Sequence, residues 1–313
     1  MKNKLLCIIL SIAIAATGVG CGESSEANSN QTDSKSDEGP DSIAEEDSVD
    51  NEPDSLEEDE PVSEKEFEEI SVVDNDECTI KITGIEPDSM WGYTLNVNLE
   101  NKSEDKTYMF SVDSASVNGV QSDPFFATEV AAGKKSNNEI SFSDELLKEN
   151  GIEEFTDIEL SFRVYDSENW EAKDVAKETV HVYPLGEDKA EVFKRDPESS
   201  DVAICDNEKV TATVIGYRND EIWGYTVDLF LENKTDKPVT FSVEDASVNG
   251  YMSDPFWATS VSGGKCAFSS ISWGSEELEE NGITDVEEIE FVFNSYDEES
   301  MNDYFKEKIT LNP

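Results

Sequence analysis

The chain has 313 residues, of which 73 are acidic and only 23 are lysine or arginine, so its formal net charge is −50 at pH 7. This balance excludes nucleic acids and anionic lipid surfaces as partners, because both are bound through clustered lysine and arginine side chains. With one histidine and five cysteines, the composition gives no reason to expect a cofactor or a metal centre.

The first 20 residues have the pattern of an export signal. Two lysines precede an apolar run from Leu5 to about Ala16, and small residues lead to Cys21. The run is too short to cross a membrane as a helix. A small residue before a cysteine, followed by a polar segment, resembles a bacterial lipoprotein signal, which would be cleaved so that Cys21 carries the lipid. The alternative is ordinary cleavage slightly earlier and secretion.

Residues 21–70 are predicted to form an acidic, disordered tether. Beyond the cysteine the segment holds twenty acidic residues against Lys35 and Lys65, with scarcely any apolar ones. Such a composition cannot bury enough surface to offset the entropy of ordering. Charge repulsion extends it, which suits a stalk between a membrane and a folded part.

The remainder of the chain is an internal repeat. WGYTLNVNLENKS at Trp91 returns as WGYTVDLFLENKT at Trp223, and SASVNG, SDPFFAT and KENGI return as DASVNG, SDPFWAT and EENGI. We therefore predict repeat 1 at 71–185 and repeat 2 at 201–313. The aperiodic segment 186–200 is the predicted linker.

Alternation of apolar and polar residues dominates both repeats, as in Trp91, Tyr93, Leu95, Val97 and Leu99. This period of two is typical of strands with one buried face. About seven such strands in each repeat predict an all-β fold of two tandem antiparallel immunoglobulin-like β-sandwiches.

Turn and helix signals accompany the strands. The Asn-Gly pairs beginning at Asn118 and Asn249 predict tight hairpin turns. One short helical turn is expected in each repeat, begun by a cap at Ser143 or Ser275 and ended by Gly151 or Gly282.

The pattern WGYT, LENK, SVNG and SDPF resembles the duplicated immunoglobulin-like domains of uncharacterised Gram-positive surface lipoproteins. The resemblance covers both repeats and implies a surface β-sandwich. Since such domains share no established activity, it transfers no functional residues.

Catalytic and metal sites have weak support. His181 is expected to face solvent on a strand, and repeat 2 has Thr310 or a neighbour in its place. The acidic runs at 74–77 and 206–208 could hold Ca²⁺ between domains, although a solvated turn is the expected interpretation because a complete ligand set is missing.

Three cysteines remain in the exported protein, and their positions do not correspond between the repeats. Cys205 and Cys266 are candidates for a disulfide within repeat 2, with free thiols as the alternative, and Cys78 is expected to be buried and free.

The segments after the two Asn-Gly turns are the candidate binding loops. Each places two adjacent aromatics after a proline, so in an extended chain one ring faces the core and the other faces solvent. The favoured interpretation is that both rings pack, one in the core and one under a loop or against the neighbouring domain; the functional hypothesis is that Phe126 and Trp257 are exposed and form a small recognition surface. The candidate residues are Asp123, Phe125, Phe126, Asp254, Phe256 and Trp257.

These observations predict a noncatalytic protein at the outer face of a bacterial cell membrane. It would bind or scaffold an extracellular protein or a cell-wall glycan and would touch the membrane only through its lipid. The alternatives are a carboxylate-dependent hydrolase of an envelope polymer and a passive spacer with no ligand.

Overall fold

Alternating apolar and polar side chains form the strands of residues 67–313, which are the residues that the computed structural model describes. Repeat 1 contains β1 (Ile70–Asp74), β2 (Cys78–Ser89), β3 (Gly92–Asn101), β4 (Tyr108–Val117), β5 (Val120–Gln121), β6 (Ala127–Val130), β7 (Lys135–Phe142), α1 (Asp144–Glu149), β8 (Ile158–Asp166) and β9 (Ala176–Val182). Repeat 2 contains β10 (Val202–Asp206), β11 (Val210–Asp220), β12 (Gly224–Asn233), β13 (Val239–Val248), β14 (Tyr251–Met252), β15 (Ala258–Val261), β16 (Cys266–Trp273), α2 (Ser275–Glu280), β17 (Ile289–Asp297) and β18 (Asp303–Leu311).

The predicted signal peptide, Cys21 and the tether as far as residue 66 lie outside the described residues. The last residues assigned to the tether belong to the fold instead. Phe67 packs against the core of repeat 1, and Ile70 begins β1. Their apolar side chains, placed directly before the first alternating segment, account for this.

Each repeat is an antiparallel sandwich of two sheets. In repeat 1 the first sheet has the order β1-β2-β3-β7, and in the second β4 lies between β8-β9 on one side and the short strands β5 and β6 on the other. The pairing of β3 with β7 and of β4 with β8 crosses over the intervening strands, which is the Greek-key connection of immunoglobulin-like domains. Repeat 2 has the same pairing, so the predicted all-β, immunoglobulin-like fold is confirmed.

The inward faces of the two sheets form the core of each repeat. Ile80 and Leu99 from one sheet meet Phe110 and Phe162 from the other, and all four are buried. Burying a side chain of this size stabilises the fold by about 1.5–3 kcal/mol relative to leaving it in water. The alternation seen in the sequence is therefore the main source of each sandwich's stability.

The Asn-Gly turns join β4 to β5 and β13 to β14, as predicted. Asn118 and Asn249 have φ of 51° and 48°, and Gly119 and Gly250 have φ of 81° and 80°. Positive φ at both central residues defines the hairpin turn whose twist matches that of the flanking strands.

The predicted serine caps of α1 and α2 are wrong. Ser143 occupies the cap position of α1, but its side chain makes no capping hydrogen bond. Ser275 is the first helical residue of α2, one position too late to cap it. A cap must precede the first helical residue so that its side chain can turn back to the free amide groups.

The helix ends follow the prediction. Gly151 and Gly282 have φ of 83° and 71° after α1 and α2. The amide of Ile152 then donates to the carbonyl of Leu147 at 2.9 Å, and both side chains are buried. This bond and the accompanying apolar contact are those of a glycine-terminated Schellman motif.

The segment 186–200 is docked onto both repeats. After a short turn at Glu187–Lys189, the amide of Phe193 donates to the carbonyl of Asn118 at 2.8 Å. The Phe193 ring lies 6.4 Å from that of Phe230 and 5.8 Å from that of Phe268, both in repeat 2. The predicted linker thus fills the junction between the sandwiches.

The repeats also contact each other directly, and residues 67–313 belong to one compact unit. Val120 of β5 pairs in parallel with Cys266 of β16, which joins the second sheet of repeat 1 to the first sheet of repeat 2. Lys265 forms an ion pair with Glu159 at 2.6 Å.

Candidate functional site

Most residues of the repeated motifs stabilise the fold. In LENK, Asn101 is buried and donates its amide to the carbonyls of Lys106 and Val130 at 2.8 and 2.7 Å. Asn233 makes equivalent bonds to Lys237 and Val261 in repeat 2. These bonds hold the loop between two strands, so the repetition of LENK reflects folding.

The aspartates of SDPF are also structural. Asp123 accepts hydrogen bonds from the backbone amide of Ala115 and from the side-chain amide of Gln121, both at 2.7 Å. Asp254 accepts the backbone amide of Ala246. Each carboxylate therefore satisfies an amide donor beside the bulge in the neighbouring strand, which is a sufficient reason for its repetition.

The exposed aromatic rings of the candidate binding loops are the first of each pair, so the hypothesis of exposed Phe126 and Trp257 is wrong. Phe125 and Phe256 are fully exposed, whereas Phe126 is only 8% exposed. Trp257 packs against the core of repeat 2, and its indole N–H donates to the Ser269 hydroxyl at 3.1 Å.

The alternation of inward and outward side chains in β6 and β15 explains why the first ring of each pair is exposed and the second is not. Val130 and Val261 are buried at the ends of β6 and β15. Counting back in steps of two from Val130 places Phe126 on the inward face and Phe125 on the outward face. The sequence contained this signal, because a valine stands at the same distance in both repeats.

Tryptophans at the β2–β3 and β11–β12 turns form a second repeated pair of exposed rings. Trp91 and Trp223 retain about two thirds of their exposure (67% and 65%), and the neighbouring Met90 and Ile222 are also exposed. The sequence assigned Trp91 to the buried face of a strand, but β3 begins one residue later at Gly92, whose φ is 95°. The turn carries the ring away from the core.

Phe125 borders a cavity of about 370 Å³ at the junction of the repeats. The cavity is lined in repeat 1 by the loop from Val120 to Phe125, the end of β7 and Leu147, and in repeat 2 by Phe268. Volumes of this size at domain boundaries are typical of ligand pockets. The exposed ring of Phe125 therefore stands beside a concave, partly aromatic surface.

The acidic runs before β2 and β11 are organised turns. Asn75 accepts the amides of Glu77 and Cys78 at 2.9 and 2.7 Å, and the Lys102 ammonium lies 2.7 Å from Asp74. The Lys102 hydrogen bond holds the pKa of Asp74 below its ordinary value. Across residues 67–313, no group of three or more His, Cys, Asp or Glu side chains is arranged to hold a metal ion.

Of the two alternatives for Cys205 and Cys266, the structure has the free thiols and not the disulfide. Cys205 lies in the core of repeat 2, while Cys266 faces repeat 1 and lies 3.7 Å from the Gly119 carbonyl. Burial raises the pKa of Cys205 to about 11 and that of Cys266 to about 12. Both thiols are therefore protonated at neutral pH and poor nucleophiles. Cys78 is buried and free, as predicted.

His181 lies on the exposed face of β9, as predicted. Its Nδ1 is 2.8 Å from Asp157, and its ring stacks on Tyr183 at 5.6 Å. Strand register places it opposite Glu159, as Thr310 lies opposite Glu290 in repeat 2.

Comparison with known proteins does not assign the chain to a family. No family model and no curated protein matches the chain. Among solved structures, the chaperone YadV is similar over 70% of this chain and 92% of its own length, at 11% identity and a TM-score of 0.22. Red sea bream transglutaminase is similar over 70% of this chain but only 28% of its own, at 13% identity and 0.19.

The CsuC-CsuE chaperone and tip adhesion subunit complex of Acinetobacter baumannii is similar over 69% of this chain and 90% of the other, at 13% identity and a TM-score of 0.21. Scores this low carry no functional argument. In the part of the chain that the structure describes, no helix is long and apolar enough to cross a membrane.

Proposed function

We propose that this chain is a noncatalytic binding or scaffolding module of the bacterial cell envelope, held at the outer face of the membrane through Cys21. Its ligand is an extracellular protein or a cell-wall glycan. The export pattern of residues 1–21 and the acidic tether support the location. The repeated exposed aromatics support the binding role.

One observation carries the proposal: Phe125 and Phe256 are fully exposed at the same position of both repeats. Trp91 and Trp223 are a second exposed pair, but they keep only about two thirds of their exposure and lie in a turn, and most other residues of the repeated motifs bury a side chain or satisfy a backbone group. A fully exposed phenylalanine adds nothing comparable to the fold. Flat exposed rings are the side chains that contribute most to recognition surfaces.

The test uses the chain without its signal and compares it with the double variant Phe125→Ser/Phe256→Ser. Peptidoglycan fragments, envelope glycans and extracellular proteins are the probes. We expect a bound probe to lose about 30-fold in affinity, because central aromatic contacts are worth about 2 kcal/mol or more. The melting temperature should change little.

The matched control is Trp170→Ser. Trp170 is an exposed aromatic in the loop between β8 and β9, at the opposite end of repeat 1 from the Asn118 turn. This variant should bind like the wild type. Equal binding by the phenylalanine variant would contradict the proposal, and failure of every probe to bind would favour a passive spacer.

A further inference from the structure

The end of repeat 2 opposite to its junction with repeat 1, which we call the distal end, concentrates exposed apolar side chains. These are Ile222, Trp223, Tyr251, Met252 and Phe256. They come from the β11–β12 turn, from β14 and from the loop after β14.

Buried contacts bring these segments together. The backbone of Gly224, directly after Trp223, lies so close to the end of β16 that an added Cβ would be 2.2 Å from the Trp273 carbonyl oxygen. The Trp273 indole N–H in turn donates to the carbonyl of Ser253 at 2.9 Å, next to Met252. Trp273 thus joins the two exposed segments into one surface.

The corresponding surface of repeat 1 is already occupied. There Val120 pairs with Cys266 of repeat 2, and Gln121 donates to the Ser260 carbonyl at 2.9 Å and accepts the Ser262 amide at 2.7 Å. The molecule therefore shows one use of this surface, which is to dock against the sheet edge of another sandwich.

The side of repeat 2 that docks there has a defined chemistry. Lys265 pairs with Glu159 of repeat 1 at 2.6 Å, and Phe268, three residues later, forms one wall of the cavity beside Phe125. At this sheet edge of repeat 2 the lysine contacts a carboxylate of repeat 1, and the aromatic residue faces an apolar loop of repeat 1.

The distal end is more apolar than its counterpart in repeat 1. Tyr251 and Met252 stand where repeat 1 has Val120 and Gln121. Both are exposed, and within residues 67–313 no other element covers them. Together with Ile222, Trp223 and Phe256 they form a group of exposed apolar side chains, and such groups with a polar rim mark interaction surfaces.

Charge selects the partner. The rim of the distal end carries exposed acidic residues, among them Glu221, Asp254, Glu276 and Glu277. Two distal ends would repel each other, whereas a lysine-bearing surface would be attracted.

We propose that the distal end of repeat 2 docks a protein partner whose β-sheet edge presents a lysine and, three residues later, an aromatic ring, as Lys265 and Phe268 do for repeat 1. This inference rests on the proposed binding function and names its partner. At the junction of the repeats Phe268, Gln121 and the fully exposed Phe125 line one cavity, so the partner's ring would lie beside Met252 and face Phe256 across such a cavity, while the lysine meets the acidic rim.

The chain itself provides a probe of this chemistry. Repeat 1 has Thr83, Asn98 and Asn137 where the docked sheet of repeat 2 has Ile215, Phe230 and Phe268, and it already has Lys134 at the position of Lys265. The triple variant Thr83→Ile/Asn98→Phe/Asn137→Phe therefore displays a docking face on repeat 1. All three replaced side chains lie on the outer face of the sheet, so the core is unchanged.

Sedimentation velocity of the chain from residue 22 onward, over a range of concentrations, measures the docking. We expect the triple variant to form head-to-tail oligomers that the wild type lacks at the same concentration. Adding Tyr251→Ser and Met252→Ser should return it to the wild-type sedimentation coefficient. Adding Trp170→Ser instead should not.

A triple variant that sediments like the wild type while retaining its circular dichroism spectrum would overturn the inference, as would oligomers that persist after Tyr251 and Met252 are replaced. Neither result touches the proposed function if a glycan or protein still binds through Phe125 and Phe256. Conversely, docking by the triple variant together with unchanged ligand binding by Phe125→Ser/Phe256→Ser would leave the inference standing and contradict the proposed role of the two phenylalanines.

Discussion

The Asn118 side chain joins its own turn to a distant loop through hydrogen bonds. Its side-chain amide donates to the Glu154 carbonyl at 2.7 Å, and its side-chain oxygen accepts from the amide and hydroxyl of Thr156, both at 2.9 Å. Asn249 bridges to Asp285 and Glu287 in the same way. The residue thus supplies both the positive φ of the turn and the anchor of a distant loop.

Replacing Asn118 with glycine separates these two roles. Glycine keeps the turn conformation but leaves the buried Thr156 groups without their acceptor, so we expect the free energy of unfolding to fall by about 2 kcal/mol. Urea denaturation measures this change. In Asn118→Asp the acceptor remains, and a smaller loss is expected. A glycine variant as stable as the wild type would show that the side-chain bonds contribute nothing.

The sequence specified these residues without specifying their contacts. An Asn-Gly pair predicts a hairpin from local geometry alone, and that prediction is confirmed. The partner loop is 36 residues away from Asn118, and no local pattern identifies it. The choice between Phe125 and Phe126 is different, because the buried valine at the end of β6 is local in sequence and fixes which of the two rings faces inward.

At the scale of elements, differences between the two repeats identify the junction. Positions 98 and 137 are asparagines joined by a 2.8 Å hydrogen bond on the outer face of repeat 1. Repeat 2 has phenylalanines there, and Phe193 from the segment 186–200 packs on them. An apolar residue in one repeat at the position of a polar residue in the other is a signal that can be read from sequence alone.

An ion pair also holds the segment 186–200 in place. Arg195 makes two hydrogen bonds to the Asp201 carboxylate, at 2.6 and 2.8 Å, and both side chains are largely buried. The Arg195 guanidinium holds the pKa of Asp201 below its ordinary value of 3.8. A carboxyl group whose pKa is lower in the folded state stabilises the fold above its unfolded pKa, and this contribution is lost as the pH falls through the folded value.

We therefore expect Asp201→Asn to be less stable than the wild type at pH 7. The difference should shrink as the pH falls from about 3.8 through the lower pKa of the folded protein, because Asp201 is protonated first in the unfolded chain and then in the folded one. Thermal unfolding at several pH values, compared with Asp196→Asn as an exposed control in the same segment, tests this. A difference that is independent of pH would mean that the ion pair is not its source.

At the scale of the whole molecule, the two sandwiches are joined by a packed junction rather than by a flexible spacer. The outer face of the repeat 2 sheet would expose Phe230 and Phe268 if repeat 1 and the segment 186–200 moved away. Burial of apolar surface therefore favours one fixed arrangement. A fixed arrangement also holds Phe125 and Phe268 at the same cavity, which a pair of independent repeats could not do.

The junction can be loosened with residues that the chain itself uses. Phe230→Asn/Phe268→Asn gives repeat 2 the outer face of repeat 1, where asparagines at these positions already support a folded sheet. We expect this variant to keep its strand content but to lose the coupling between repeats, because the Phe193 ring loses both aromatic partners. The free energy of unfolding should fall by about 3 kcal/mol or more, since large-to-small changes at packed aromatic sites cost that much.

Small-angle scattering and denaturation together measure the loss of coupling. The variant should have a larger radius of gyration and two unfolding transitions, where the wild type has one. Asn98→Ser/Asn137→Ser, at the same positions of repeat 1, is the matched control and should change neither property. A finding that Phe230→Asn/Phe268→Asn keeps the wild-type dimensions and a single transition would contradict the prediction. The β5–β16 pairing and the Lys265–Glu159 ion pair would then be sufficient to fix the repeats, without the aromatic cluster.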